Sequence, residues 1–434
     1  MSAFQIATFR ANVTPPPGHP LCAGWMPPAL GITDQLYANG IILSDGSAPI
    51  VLCAVDWCEI SNRSYHAWQN ALAQAVGTTP ERVAVHTMHP HCTPWPDEVA
   101  QQLISEQNGI RPLMNVAWCD DALRRTARAA GQAWSNASPL TDVATGRAQV
   151  EQVASNRRIM GEDEKVKAVR WTRTLEAEVR AEPEGEIDPW LKTISFWNGD
   201  QKLAVAHFYA VHPSSYEDSY VTPDFTGLAR ERRAAEDGVT HLYFTECAGD
   251  ITAGKYNDGA TELREVFTER IYKALVESEE NAERHPLRSL EWKTQPIQLP
   301  PREDEPVEQL EAVLRDESVN TKLRSRAALI LAYHERQATP IMLAALELQT
   351  EGGPPVTSVH LPGESFMEYQ YFVQQQRPDD FVVVPSYGDC GPGYICLEKS
   401  FDEGGYEPKD SFIAGRSETI LKDGIQQLLS NSLL

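Results

Sequence analysis

Two histidines two residues apart, His89 and His91, follow the strand-like stretch Val83 to Met88, and the turn-rich Cys92-Thr93-Pro94-Trp95-Pro96 comes next. Loops just past strand ends are where α/β proteins place metal and catalytic groups. Three further loops carry partners of suitable chemistry. His212-Pro213-Ser214-Ser215 follows the stretch Leu203 to Val211. Pro362-Gly363-Glu364-Ser365 follows an apolar strand and is read as opening a helix. Gly388-Asp389-Cys390-Gly391-Pro392-Gly393-Tyr394 precedes Tyr406. Their shared placement lets all four converge on one sheet edge. Two imidazoles and a carboxylate suit a catalytic zinc with one position left open for water. A phenol is an unusual fourth ligand, but it fits a cation that lowers its pKa. Blander readings stand beside these. Glu364 can serve a helix N-terminus, Tyr394 can be a packed aromatic, and Asp250 can be a turn residue. His207, His241 and His360 are read as structural histidines.

The elements that must position these loops follow from pattern. Residues 38–60 read as two strands around Ser44-Asp45-Gly46, and 62–76 as a helix stopped by Gly77. With the strand from Val83, this is a βαβ unit. Further helices are expected over 120–134, from Asp224 to Gly238, and over 261–279. Strands are expected over 190–211, around the turn Asn198-Gly199-Asp200, and over 241–244. Leu299 to Pro306 reads as a proline-rich linker. Helices near 307–316 and 320–337 read as a charged pair, solvated or in an oligomer contact, with solvation favoured. Strands return over 341–349 and 355–360. The fold class expected is α/β: a mixed β-sheet core with helices on both faces, and a smaller C-terminal α+β portion completing the metal site. Residues 1–298 form the first portion, 299–340 the linker and helical insertion, and 341–434 the last.

Composition narrows the function. The 434 residues carry 61 acids against 38 Lys and Arg, a formal charge of -23, which argues against nucleic-acid binding. No apolar run long enough for a transmembrane helix occurs. Met1-Ser2-Ala3-Phe4-Gln5 has neither a basic nor an apolar leader region. A cytoplasmic location is therefore expected, or a secreted or periplasmic one if a leader has been trimmed. Eight cysteines at scattered spacings, with no C-x-x-C, read as reduced and buried thiols.

At these residues the chain resembles the neutral/alkaline non-lysosomal ceramidase family, specifically its N-terminal zinc amidase domain. The similarity runs in order through His89-Pro90-His91-Cys92-Thr93-Pro94, Asn156-Arg157-Arg158, Val211-His212-Pro213-Ser214, Gly249-Asp250-Ile251-Thr252, Pro362-Gly363-Glu364, and Gly393-Tyr394 with Gly405-Tyr406-Glu407. The resemblance implies one zinc ion on His89, His212, Glu364 and Tyr394, with His91, Arg157 and Tyr406 lining the site. Departures at Cys92-Thr93, Pro213-Ser214, Thr252 and Ala253-Gly254 are read as pocket lining, which puts ceramide itself in doubt. The resemblance is read as one to a short form, for which neither the family's C-terminal β-sandwich domain nor its secretion signal is expected.

The expected activity is zinc-dependent hydrolysis of an N-acyl amide smaller or more soluble than ceramide. Arg157 and Tyr406 would stabilise the oxyanion. His91 would carry the proton, Asp250 would orient a ligand imidazole, and Thr252 would line the pocket. The expected partner is a small-molecule acyl amide, without nucleic acid or stable membrane insertion; a homo-oligomer stays open. A zinc esterase or lactonase, and a metal-stabilised binding protein without catalysis, are the competing readings.

Overall fold

The computed structural model describes residues 4–430. Met1 to Ala3, part of the leader region considered above, and residues 431–434 lie outside it. The expected mixed α/β class is what forms, and its core is a pair of sheets. A five-stranded sheet runs in the order Val83–Thr87, Ile50–Val55, Tyr37–Ser44, Gln5–Asn12, Ser138–Pro139. An eight-stranded sheet runs Thr240–Thr245, Gln201–Tyr209, Trp190–Asn198, Asp142–Gln149, Glu283–Ile297, Ile341–Thr350, Val356–His360, Phe381–Val383.

Alternation along one strand shows how the layers assemble. In Ile50–Val55, Ile50, Leu52 and Ala54 join a core shared with Ile194, Phe196, Phe208 and Phe244 of the second sheet. Val51, Cys53 and Val55 join a different core, against Trp68, Leu72 and Ala130. With a residue period of two, both faces of this strand are therefore covered, which is why it reads as continuously apolar. Helices Asn62–Val76 and Val116–Trp134 cover the outer face of the first sheet. Helices Asp224–Asp237 and Leu263–Glu280 cover the outer face of the second. The βαβ unit forms as read: Ile50–Val55 and Val83–Thr87 pair in parallel across helix Asn62–Val76, and Gly77 ends that helix at φ 76°.

Two features depart from the pattern reading. Glu283–Ile297 is a strand that pairs with Asp142–Gln149 on one side and Ile341–Thr350 on the other. Pro286 and Pro296 disguise it, since proline is rare inside strands. The helical pair is also not a solvated one. Thr321–Glu335 buries Ala327 through Tyr333 in the core beside Trp95, Tyr369 and Phe412. Its charges sit mainly at the ends of the segment, and Arg324 is buried with its Nε donating to the Leu314 carbonyl at 2.8 Å.

One ion pair ties the first sheet to the second helix layer. Arg230 donates to both oxygens of Asp56, at 2.5 and 2.9 Å, and neither side chain is exposed. Asp56 also accepts from the Tyr37 amide at 2.8 Å. Removing one partner of such a pair leaves an uncompensated buried charge. Arg230→Leu should therefore lower unfolding stability by about 3–5 kcal/mol, read as a shifted urea midpoint. A shift below about 1 kcal/mol, the size typical of an exposed pair, would show that the pair does not carry this junction.

Candidate metal centre

Six loops leave the C-terminal ends of strands from both sheets and meet at one point. They follow Ile50–Val55, Val83–Thr87, Gln201–Tyr209, Thr240–Thr245, Val356–His360 and Phe381–Val383. Backbone bonds lock the strand ends together. The Thr87 amide donates to Tyr387 O, the Met88 amide to Val55 O, and the Ser386 amide to Thr245 O. Thr245 Oγ1 donates to Met88 O at 2.8 Å.

His89 turns out of its strand with φ 71°, and its amide is held by Trp57 O. Its Nδ1 lies 3.1 Å from the Cys58 carbonyl. His212 Nδ1 lies 2.7 Å from Ala248 O and 3.0 Å from Ile251 O. Carbonyls only accept, so each Nδ1 carries the proton and each Nε2 keeps its lone pair. Both Nε2 atoms face the same oxygen, Glu364 Oε2, at 3.4 Å from His89 and 2.9 Å from His212. That oxygen has no hydrogen-bond donor. Burial holds both imidazole pKa values well below the usual histidine range. Three buried acceptors facing one another could hold a cation, and nitrogen and oxygen ligands of this kind suit zinc.

Glu364 reaches this point on the two-residue strand Glu364–Ser365, paired in parallel with Tyr394–Ile395. The expected helix start is displaced: the helix is Met367–Gln376, and its N-cap is Phe366. Gly249 packs its backbone directly on the Glu364 carbonyl, where a Cβ would collide. The register brings Glu364 and Tyr394 side by side.

Tyr394 is buried and accepts from Arg157 Nη1 at 3.0 Å. Arg157 Nη2 lies 3.1 Å from His212 Nε2. The lone pair engaged there is the one a metal would take, so metal binding and this hydrogen bond exclude each other. Arg157 Nε faces Glu407 Oε1 at 4.0 Å, the nearest alternative anchor. Tyr406 is half-buried, with its ring 5.6 Å from that of Tyr394 and 5.0 Å from that of Trp171. His91 Nδ1 lies 2.6 Å from Glu217 Oε1. Burial pulls the His91 pKa down, but the Glu217 hydrogen bond and charge outweigh it and raise the value to about 9. His91 also lies within ligand reach of His89 and His212, but a protonated imidazole offers no lone pair to a metal.

Two expected roles are corrected. Asp250 does not orient an imidazole, because backbone carbonyls already hold both Nδ1 atoms. Its carboxylate accepts from the Met367 amide and from Asn156 Nδ2, each at 2.9 Å. Its own carbonyl accepts from the Arg157 amide at 2.7 Å. Asp250 thus anchors the loop that carries Arg157; burial raises its pKa to about 6. Thr252 is fully buried on a short strand against Ser155–Asn156 and does not line the cavities. Of the departures read as lining, only Ser214 reaches a cavity. Gly254 instead lets the segment carrying Trp171 pack against its backbone.

Two cavities open on the centre, of about 410 and 380 Å³. His91, Trp171, Glu217, Tyr394 and Tyr406 line both. Sequence reasoning missed several of the residues here. Glu217 was signalled only by lying just past His212, and Trp171 by nothing. Tyr387, at φ 59°, sets its ring against that of His89, centroids 4.7 Å apart and planes tilted by 37°. Glu59 is fully buried in the loop after Ile50–Val55, the same kind of strand end that gave His89. The structural histidines are satisfied as expected: His207 bonds Thr193 and His241, and His241 bonds Asp237. His360 bonds His86. All eight cysteines are free and buried.

No family profile matches the sequence, and no curated protein does. Solved structures do match. Neutral ceramidase from Pseudomonas aeruginosa superposes with a TM-score of 0.68 at 14% identity, over 98% of this chain and 74% of that one. A ceramidase complexed with C2 gives 0.66 at 13% identity, with the same coverage. Among the described residues, no helix is long and apolar enough to cross a membrane. The chain has the fold of the neutral ceramidases, matched along almost its whole length.

Proposed function

We propose that the chain is a metal-dependent hydrolase of a linear acyl amide. The observation that carries this is the meeting of His89 Nε2 and His212 Nε2 on an oxygen of Glu364 that has no donor. His89, His212, Glu364 and Tyr394 would hold the ion. When bound, zinc supplies Lewis acidity and lowers the pKa of a water from 15.7 to about 7.

The remaining groups do the rest. Arg157 and Tyr406 stand beside Tyr394 and would donate to the scissile carbonyl oxygen, which gains charge as the amide carbon becomes tetrahedral. His91, kept protonated by Glu217, would give a proton to the leaving nitrogen, since an amide anion leaves poorly. Asp250 and Asn156 fix the loop from which Arg157 projects. The fold resemblance supports an amide over other acyl groups, because the matched proteins are named ceramidases. The cavities suit a substrate with two modest halves on either side of His91 and Tyr394.

Elemental analysis of the purified protein should find about one zinc per chain, the number a single catalytic site holds. His89→Ala and Glu364→Ala should lose both metal and turnover. His91→Ala should keep the zinc and lose about 100-fold or more in kcat; loss of zinc in that variant would make His91 a ligand. Paired N-acyl and O-acyl substrates with the same two halves should both be cleaved. Turnover of the ester alone would replace the amidase reading with an esterase.

A further inference from the structure

Glu59 has no role in the chemistry above, and its surroundings are unusual. Its side chain is 1% exposed, and both carboxylate oxygens lack a hydrogen-bond partner. His89 Nδ1 stands 3.6 Å from one of these oxygens but lies closer to the Cys58 carbonyl, at 3.1 Å. No lysine or arginine among the described residues forms an ion pair with it. Of the neighbouring acids, Glu217 pairs with His91 and Asp410 with Arg326, while Glu364 belongs to the proposed metal set, with Glu59 and His89 within reach of it. Leaving a buried carboxylate without a counter-charge is costly.

Glu59 lines the 410 Å³ cavity together with Trp25, Trp95 and Phe412. Trp25 and Trp95 pack edge to face, with centroids 5.7 Å apart. Trp25 Nε1 is a second buried polar atom without a partner, on the same cavity. An unpaired carboxylate, aromatic faces and an unpaired N–H are the complement of an ammonium group carried close to a hydrogen-bond acceptor.

We infer that this cavity selects amides bearing a primary ammonium group, with Glu59 as its counter-ion and Trp25 Nε1 donating to an acceptor on the same ligand. Glu59 is here a specificity-determining residue. The assignment of an amide rests on the proposed hydrolase; the cation pocket does not. His91, Tyr394 and Tyr406, which line both cavities, mark where the scissile bond lies. The uncharged half of the substrate then extends into the 380 Å³ cavity by Ser214 and Tyr216.

The test compares N-acetylputrescine with N-pentylacetamide, which has nearly the same shape without the charge, on the zinc-loaded chain. Binding of pentylammonium against pentanol is followed in parallel by tryptophan fluorescence. The wild type should prefer the charged amide by about 30-fold or more in kcat/KM and should bind pentylammonium over pentanol. Glu59→Gln should abolish both preferences while keeping its zinc and its rate on N-pentylacetamide. Equal kcat/KM and equal binding for charged and uncharged ligands in the wild type would overturn the inference. So would a Glu59→Gln that loses zinc and slows both amides alike, since Glu59 would then only position His89. If neither amide is cleaved but pentylammonium binding depends on Glu59, the cation pocket stands and the hydrolase reading falls. If the variant does not fold, the wild-type preference for pentylammonium decides.

Discussion

Two neutral imidazoles cannot point their lone pairs at one carboxylate oxygen and rest there without a cation. That constraint organises the structure. The His89 and His212 tautomers are imposed by backbone carbonyls of Cys58, Ala248 and Ile251, so neither ring can relieve the conflict by presenting a proton to Glu364. Arg157 provides positive charge at the edge, through His212 and Tyr394. It does so with a side chain that Glu407 can also hold. The centre thus has a donor arrangement that could hold a cation, with Arg157 as the group that a bound cation would displace.

Such a cluster persists only where the backbone leaves it no choice. His89 and Tyr387 both sit in the left-handed region, at φ 71° and 59°, where a non-glycine residue costs about 1–3 kcal/mol. Each has its amide bonded, His89 to Trp57 O and Tyr387 to Gly363 O. The rings of the two residues lie against each other, centroids 4.7 Å apart and planes tilted by 37°. The strain aims the His89 ring out of its strand toward the second sheet. Bonds between Thr87, Met88, Thr245 and Tyr387 then close the seam between sheets.

Local pattern carried the sequence reading a long way at strand ends and failed where partners lie far apart in the chain. The helix at 62–76 and the strand from Val83 were legible because apolar spacing and Gly77 are local signals. His89, His212, Glu364 and Tyr394 were legible as residue types after strands, and the resemblance grouped them. Glu283–Ile297 was hidden by its prolines, and the burial of Thr321–Glu335 by the charges at its ends. Asp250 misled because a carboxylate near a histidine loop suggests an imidazole partner, whereas the carbonyls had already taken that role. Glu59 looked like the tail of a strand. Only the three-dimensional closure of the cavity shows that it lacks a counter-ion.

The net charge of -23 first reads as a matter of solubility, and the site gives it direction. Glu59, Glu217, Glu364 and Asp410 all line the 410 Å³ cavity, against His91 and Lys322 as its cationic groups. Field lines concentrate in a cleft with low-dielectric walls; burial raises the pKa of Glu59 and Asp410, so a cation entering the cleft would be what holds these acids ionised. On the proposed function, a divalent metal ion and an ammonium-bearing ligand would both be favoured there. The proposed amide hydrolysis would convert one half of a substrate into a carboxylate, which the same acids would repel. On that reading, the charge that would favour entry of a cationic amide would also favour departure of the acid it yields, and the two effects follow from one arrangement of side chains.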